Sequence, residues 1–163
     1  MIEVEIAMVR LDPEARAPIV ILREKEGKPR RFLPIWIGIS EAVAIVTEIE
    51  NHVTPRPMTH DLMKSIMDSL GGEVVSILVT DLKEDTFYAE INIRLSSDGR
   101  VIKIDSRPSD AIALGLRAKA PIYVSEKVMA GFGINQELMD TNPEEQLKVI
   151  LDSLKPEDFG DKV

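Results

Sequence analysis

Apolar and polar residues alternate from the start of the chain. Ile2, Val4, Ile6 and Met8 fall on one side and Glu3 and Glu5 on the other. A period of two predicts a strand from Ile2 to Leu11, and Asp12-Pro13-Glu14 reads as a turn. Ala17 to Arg23 is β-branched and apolar and predicts a second strand. Gly27 and Pro29 mark a hairpin loop before a third, Arg31 to Ile37. The period then changes. Ser40 has the chemistry of an N-cap, and Ala42, Ile45, Val46 and Ile49 follow the spacing of an amphipathic helix. A Pro-bracketed loop, 53–57, leads to a second helix. Thr59 is its expected cap, Met63, Ile66, Met67 and Leu70 its apolar stripe, and Gly71 its stop.

Val74 to Thr80 predicts another strand. Phe87, Ala89, Ile91, Ile93 and Leu95 alternate with Tyr88, Glu90, Asn92 and Arg94, and Asp98-Gly99 turns this half-buried strand into Val101–Asp105. A third helix starts at Pro108. Its run Ala111-Ile112-Ala113-Leu114-Gly115-Leu116 is apolar on nearly every side and predicts burial all round. A short strand, 121–125, and a short helix, 126–130, follow, and Gly131-Phe132-Gly133 reads as a break. Asn142-Pro143-Glu144-Glu145 opens a last helix with the stripe Leu147, Ile150, Leu151, Leu154. Strands grouped with helices between, without regular βαβ alternation, predict an α+β fold. The sheet is expected to be mixed and mainly antiparallel, packed with several helices. Residues 1–135 form the expected main domain and 136–163 an acidic C-terminal helical appendage.

Length and composition narrow the function classes. At 163 residues, 44% hydrophobic and 29% charged, the chain fits one globular domain. The absence of cysteine excludes thiol catalysis and cysteine-based metal centres. Two histidines, His52 and His60, cannot make a three-histidine centre within one chain. No G-x-S-x-G elbow, P-loop or dinucleotide fingerprint occurs. No apolar run reaches the roughly 18 residues of a membrane span, and the N-terminus does not read as a signal peptide. The expected location is cytoplasmic. The formal charge of −8 argues against a protein that coats nucleic acid. Eight acidic and three basic residues lie in 137–163, so the main body is nearly balanced.

Two segments place ionisable groups just ahead of helices: Arg56-Pro57-Met58-Thr59-His60-Asp61 and Asp105-Ser106-Arg107-Pro108-Ser109-Asp110. Helix N-termini present free N–H groups and a positive dipole end, which suit phosphate. Arg56 and Arg107, with Thr59 and Ser109, are the candidate phosphate contacts. Asp105 and Asp110 are hard oxygen ligands suited to Mg²⁺ or Mn²⁺. His60, oriented by Asp61, is the candidate general acid or base. The plain alternative makes Thr59 and Ser109 caps, Asp61 and Asp110 first-turn acids, and the arginines partners of neighbouring aspartates. His52, near a helix end, reads as structural. The basic cluster Lys25, Lys28, Arg30 and Arg31 reads as a solvated hairpin tip, Trp36 and Phe87 as core, and Tyr88 as an outer-face residue.

Five blocks occur in order: Leu33-Pro34-Ile35-Trp36-Ile37-Gly38, Arg56-Pro57-Met58-Thr59-His60-Asp61-Leu62, Phe87-Tyr88-Ala89, Ile104 to Leu114, and Pro121-Ile122-Tyr123-Val124-Ser125. Together they resemble the bifunctional nuclease domain family, from about Ile2 to Ala130. The resemblance implies a compact α+β domain, usually self-associating with a dimer favoured, and a nuclease activity on RNA and DNA. Some family members carry a coiled C-terminal segment of the excision-repair type; here a short acidic helix is expected instead. The leading expectation is a metal-assisted phosphodiesterase with little sequence preference. The rival is a non-catalytic oligomeric binding or regulatory protein. An enzyme needs the two polar blocks to converge on one open site.

Overall fold

In this computed structural model the structure describes residues 1–135. The expected last helix, and with it the appendage 136–163, lies outside them. The elements are β1 (Ile2–Asp12), β2 (Ala17–Glu24), β3 (Arg31–Trp36), α1 (Ile39–Ile49), α2 (Thr59–Ser69), β4 (Gly72–Lys83), β5 (Thr86–Leu95), β6 (Val101–Ser106), α3 (Pro108–Ala118), β7 (Ile122–Val124), α4 (Glu126–Phe132) and β8 (Ile134–Asn135). One eight-stranded sheet runs in the order β6-β5-β4-β7-β1-β2-β3-β8. Its pairings are antiparallel except β4 with β7, so the fold is α+β with a mixed, mainly antiparallel sheet. No described helix is long and apolar enough to cross a membrane.

The main core lies between the sheet and the helices. α3 sits centrally on β4 and β5 and packs against both α1 and α2. Ala111 to Gly115 are buried, as the unbroken apolar run requires. Gly115 is small because the sheet presses on it: a Cβ there would lie 2.6 Å from Ile77 Cγ1. A second, smaller cluster joins Ile19, Ile21, Phe32 and Ile134, with Ala7, Met8 and Trp36 packed against it. Met8 therefore does not share the face of Val4 and Ile6. A bulge between Ile6 and Met8 shifts the register, setting Ile6 opposite Leu22 in the main core and Met8 opposite Ile21 in the small cluster.

The helix starts differ from the sequence expectation at two points. α1 begins at Ile39 with Gly38 in the cap position, so Ser40 lies inside the first turn and does not cap. α2 has Met58 in the cap position and Thr59 as its first helical residue. The capping bond comes from the other direction, since Asp61 Oδ2 accepts the Met58 N–H at 2.8 Å. The end of α2 follows the sequence, with Gly71 at φ +76° just past the cap. Gly131 does not break the chain. α4 continues to Phe132, and the following residues pair with β3 as β8.

Candidate functional site

The two polar blocks meet. The first turn of α2 carries His60 and that of α3 carries Asp110, and His60 Nε2 lies 3.0 Å from Asp110 Oδ1. Asp110 Oδ2 accepts from Arg107 Nε at 2.8 Å. Arg107 also reaches the first turn of α1, where its terminal nitrogen donates to Glu41 Oε1 at 2.8 Å. Four side chains thus join the N-terminal turns of three helices. The chain builds this by starting each helix with an extended residue, Gly38, Met58 and Arg107, with Pro108 as the first helical residue of α3.

Exposure is graded across this junction. His60 is 6% exposed, the Asp110 side chain 25% and the Arg107 side chain 66%. Asp110 and Glu41 hold Arg107 above the usual guanidinium value, the Asp110 hydrogen bond contributing most. The cation stays charged and presents its open side to solvent. A buried imidazole that shares a carboxylate with an exposed arginine combines a proton-handling group with an anion-binding one.

Asp61 does not orient His60. Its carboxylate accepts the Met58 N–H and, at 2.5 Å, Arg117 Nε. These two bonds, the Met58 one first, hold it below the usual carboxylate range. Arg117 is a buried clasp, 4% exposed in its side chain, and also donates to the carbonyls of Ala44 and Ala113. The sequence reading missed Arg117 and Glu41. Both occupy positions that ordinarily serve the helix dipole, the last turn of α3 and the first turn of α1. The one available signal was a charged residue closing an otherwise apolar helix.

The remaining candidates divide. Arg56 and Thr59 are exposed beside His60 in the chain. The Arg56 guanidinium has no hydrogen bond or ion pair among the described residues; only its carbonyl does, accepting from Thr54 Oγ1. Ser109 is buried in the first turn of α3 and is not open to a solvent-borne phosphate. Asp105 is elsewhere. It stands opposite Glu90, and its neighbours Ile104 and Ser106 stand opposite the buried Ile91 and Ala89. Alternation turns Asp105 to the sheet face away from the helices, where it lines an open basin with Asp81, Lys83, Tyr88, Glu90 and Lys103. His52 is exposed and contacts Glu50 near the end of α1.

This arrangement does not fit Mg²⁺ or Mn²⁺ held jointly by Asp105 and Asp110. The two carboxylates lie on opposite sides of the sheet, and both Asp110 oxygens are already engaged. Among the described residues no group of three or more histidine, aspartate or glutamate side chains is placed to hold a metal ion.

Comparison with known proteins agrees with the motif blocks. The family described as bifunctional nuclease domain matches residues 20–137. An uncharacterised protein of Mycobacterium tuberculosis is 39% identical over 96% of this chain and 97% of its own length. Bifunctional nuclease 1 of Oryza sativa subsp. indica is 24% identical over 78% of this chain, which covers 38% of that longer protein. Bifunctional nuclease 2 of Oryza sativa subsp. japonica is 29% identical over 74% of this chain and 37% of its own length. With the matched region spanning most of the sequence and including both polar blocks, the chain belongs to the bifunctional nuclease domain family.

Proposed function

We propose that this chain cleaves phosphodiester bonds of RNA and DNA with little base preference, at the junction of the three helix starts. The observation that carries the reading is the His60–Asp110 contact, which joins two blocks 50 residues apart in the sequence beneath an exposed arginine. In this reading Arg107 binds the phosphate being attacked and Arg56 and Thr59 contact the flanking backbone. His60 takes the proton of the attacking water and its imidazolium then gives a proton to the leaving oxygen, while Asp110 fixes the imidazole and stabilises its cation, as an orienting carboxylate does in other acid–base pairs. Base preference is low because the groups at the junction suit phosphate and none is arranged to read base edges. The Asp105–Asp110 pair does not fit a divalent ion, so in this reading proton transfer rests on His60 and phosphate binding on the arginines. The working unit is proposed to be a homo-oligomer, a dimer in the first instance.

Burial of His60 favours a second reading. A continuous His60–Asp110–Arg107–Glu41 chain of contacts also suits a purely structural clasp in a binding or regulatory protein. The deciding experiment measures cleavage of single-stranded RNA and DNA by highly purified full-length protein, with and without chelator, beside Arg107→Ala. Cleavage lost in Arg107→Ala, with the melting temperature nearly kept, supports the nuclease. Cleavage that survives Arg107→Ala, or none in the wild type, supports the clasp. The chelator arm reports whether a divalent ion takes part through residues other than the Asp105–Asp110 pair.

A further inference from the structure

β6 ends the sheet, and among the described residues nothing pairs with its outer edge. The other end is the two-residue β8. The β5–β6 turn shows which backbone groups of β6 are unbonded. Leu95 N–H donates to the Arg100 carbonyl at 2.9 Å, and Gly99 N–H donates to the Leu95 carbonyl at 2.8 Å. Gly99 has φ +70°, so Leu95 faces Gly99 and Arg100 as a hydrogen-bonded pair with a glycine bulge. Counting onward along the antiparallel ladder, Ile102, Ile104 and Ser106 bond to β5. The N–H and C=O groups of Val101, Lys103 and Asp105 point out of the sheet. β6 has neither a proline nor a register shift to blunt this edge.

We propose that β6 pairs antiparallel with β6 of a second copy of this chain, about a twofold axis through Ile104. The outward groups belong to odd-numbered residues, so a symmetric ladder must centre on one residue of the strand. Centring on Lys103 sets two lysines face to face, and centring on Asp105 sets two aspartates face to face. Both are unfavourable across a ladder. Centring on Ile102 leaves Lys103 opposite the partner's Val101. Centring on Ile104 sets Lys103 opposite the partner's Asp105 and Asp105 opposite the partner's Lys103. Those two facing pairs supply about four backbone hydrogen bonds.

The apolar pattern agrees with this register. Ile104 is 42% exposed although its ladder partner Ile91 is buried. At the twofold axis it would meet its own copy in a non-hydrogen-bonded position, where facing side chains approach most closely. The interface is isologous, as a closed dimer requires. The inference rests on the proposed self-association and not on the nuclease reading.

Sedimentation velocity and amide hydrogen exchange on the full chain test it, with wild type, Asp105→Lys and Asp105→Lys/Lys103→Glu. Asp105→Lys places a lysine opposite Glu90 within the chain, which favours folding, and opposite the partner's Lys103, which opposes pairing. The wild type should be a dimer whose Lys103 and Asp105 amides are protected in a concentration-dependent way. Asp105→Lys should weaken dimerisation about tenfold or more, and the double exchange should restore it. Equal dimerisation of all three, or freely exchanging Lys103 and Asp105 amides in the dimer, would place the interface elsewhere and overturn the proposal. A wild type that stays monomeric at every concentration overturns self-association itself.

Discussion

Arg117 Nε donates to Asp61 Oδ1 at 2.5 Å, tying the last turn of α3 to the first turn of α2. The same guanidinium reaches the Ala44 carbonyl in α1, so one buried cation ties α1, α2 and α3 together. Its charge is offset by a carboxylate about a third exposed and by two backbone carbonyls. Arg117→Met keeps much of the packing but strands Asp61 and both carbonyls. Hydrogen bonds to charged groups contribute about 1.5–3 kcal/mol, and a loss in that range is expected. Urea unfolding measures it, and an unchanged midpoint would show that the clasp contributes nothing.

The same contact gives stability a pH dependence. Asp61 titrates below its ordinary value because the Met58 N–H and then Arg117 favour the carboxylate. A carboxyl depressed by folding contributes stability that is fully present above the unfolded value of about 3.9 and is lost as pH falls through the lower folded value. Melting temperature should therefore fall on acidification below about pH 4. Asp61→Asn should be less stable than wild type at neutral pH, and the two should converge in acid. Parallel curves for the two proteins would mean that Asp61 does not carry the effect.

At Gly115, α3 lies close against the sheet. An added Cβ would lie 2.6 Å from Ile77 Cγ1, a branch atom close to the strand backbone that cannot swing aside as a chain end can. Alanine normally gains about 1 kcal/mol over glycine inside a helix. Here overpacking, typically about 1–3 kcal/mol, should outweigh that gain. Gly115→Ala is expected to lower the melting temperature and Gly115→Leu to lower it much further. Ile77→Ala should offset part of the Gly115→Ala loss, which a double-mutant cycle reads directly. Additive losses would show that the two positions do not meet.

Periodicity carried most of this fold. The strict alternation of Phe87 to Leu95 and the unbroken apolar run of α3 need one layer on the sheet and one helix beneath others, and the structure supplies both. Periodicity failed where the backbone breaks its own period. Nothing in Ile6-Ala7-Met8 announces a bulge, yet it sends Met8 to the other face. Residue types located the two polar blocks, and the helix starts set them together. The partners within the junction were not legible. His60 pairs with Asp110 across the layer, while the adjacent Asp61 turns to Arg117, a residue 56 positions on. Sequence proximity suggested the wrong carboxylate because successive residues of a helix point about 100° apart, so neighbours in the chain do not face one partner. Asp105 and Asp110 fail as a pair for a related reason: a strand end and a helix start separate them, and the strand turns Asp105 outward.

The last prediction separates proton transfer from structure at His60. His60→Ala removes and Asp110→Asn weakens the 3.0 Å contact that joins α2 to α3, so both should lose some stability. The proposed chemistry demands more. Loss of a general acid or base typically slows a reaction about 10²–10⁴-fold, and loss of its orienting carboxylate should slow it less. Cleavage of single-stranded RNA and DNA is measured well below each variant's melting temperature, so unfolding does not contribute. His60→Gln keeps a hydrogen-bonding side chain towards Asp110 without a titrating ring, so it should recover stability but not rate. Cleavage at wild-type rate in His60→Gln would reduce His60 to a clasp and leave the junction as a binding site at most.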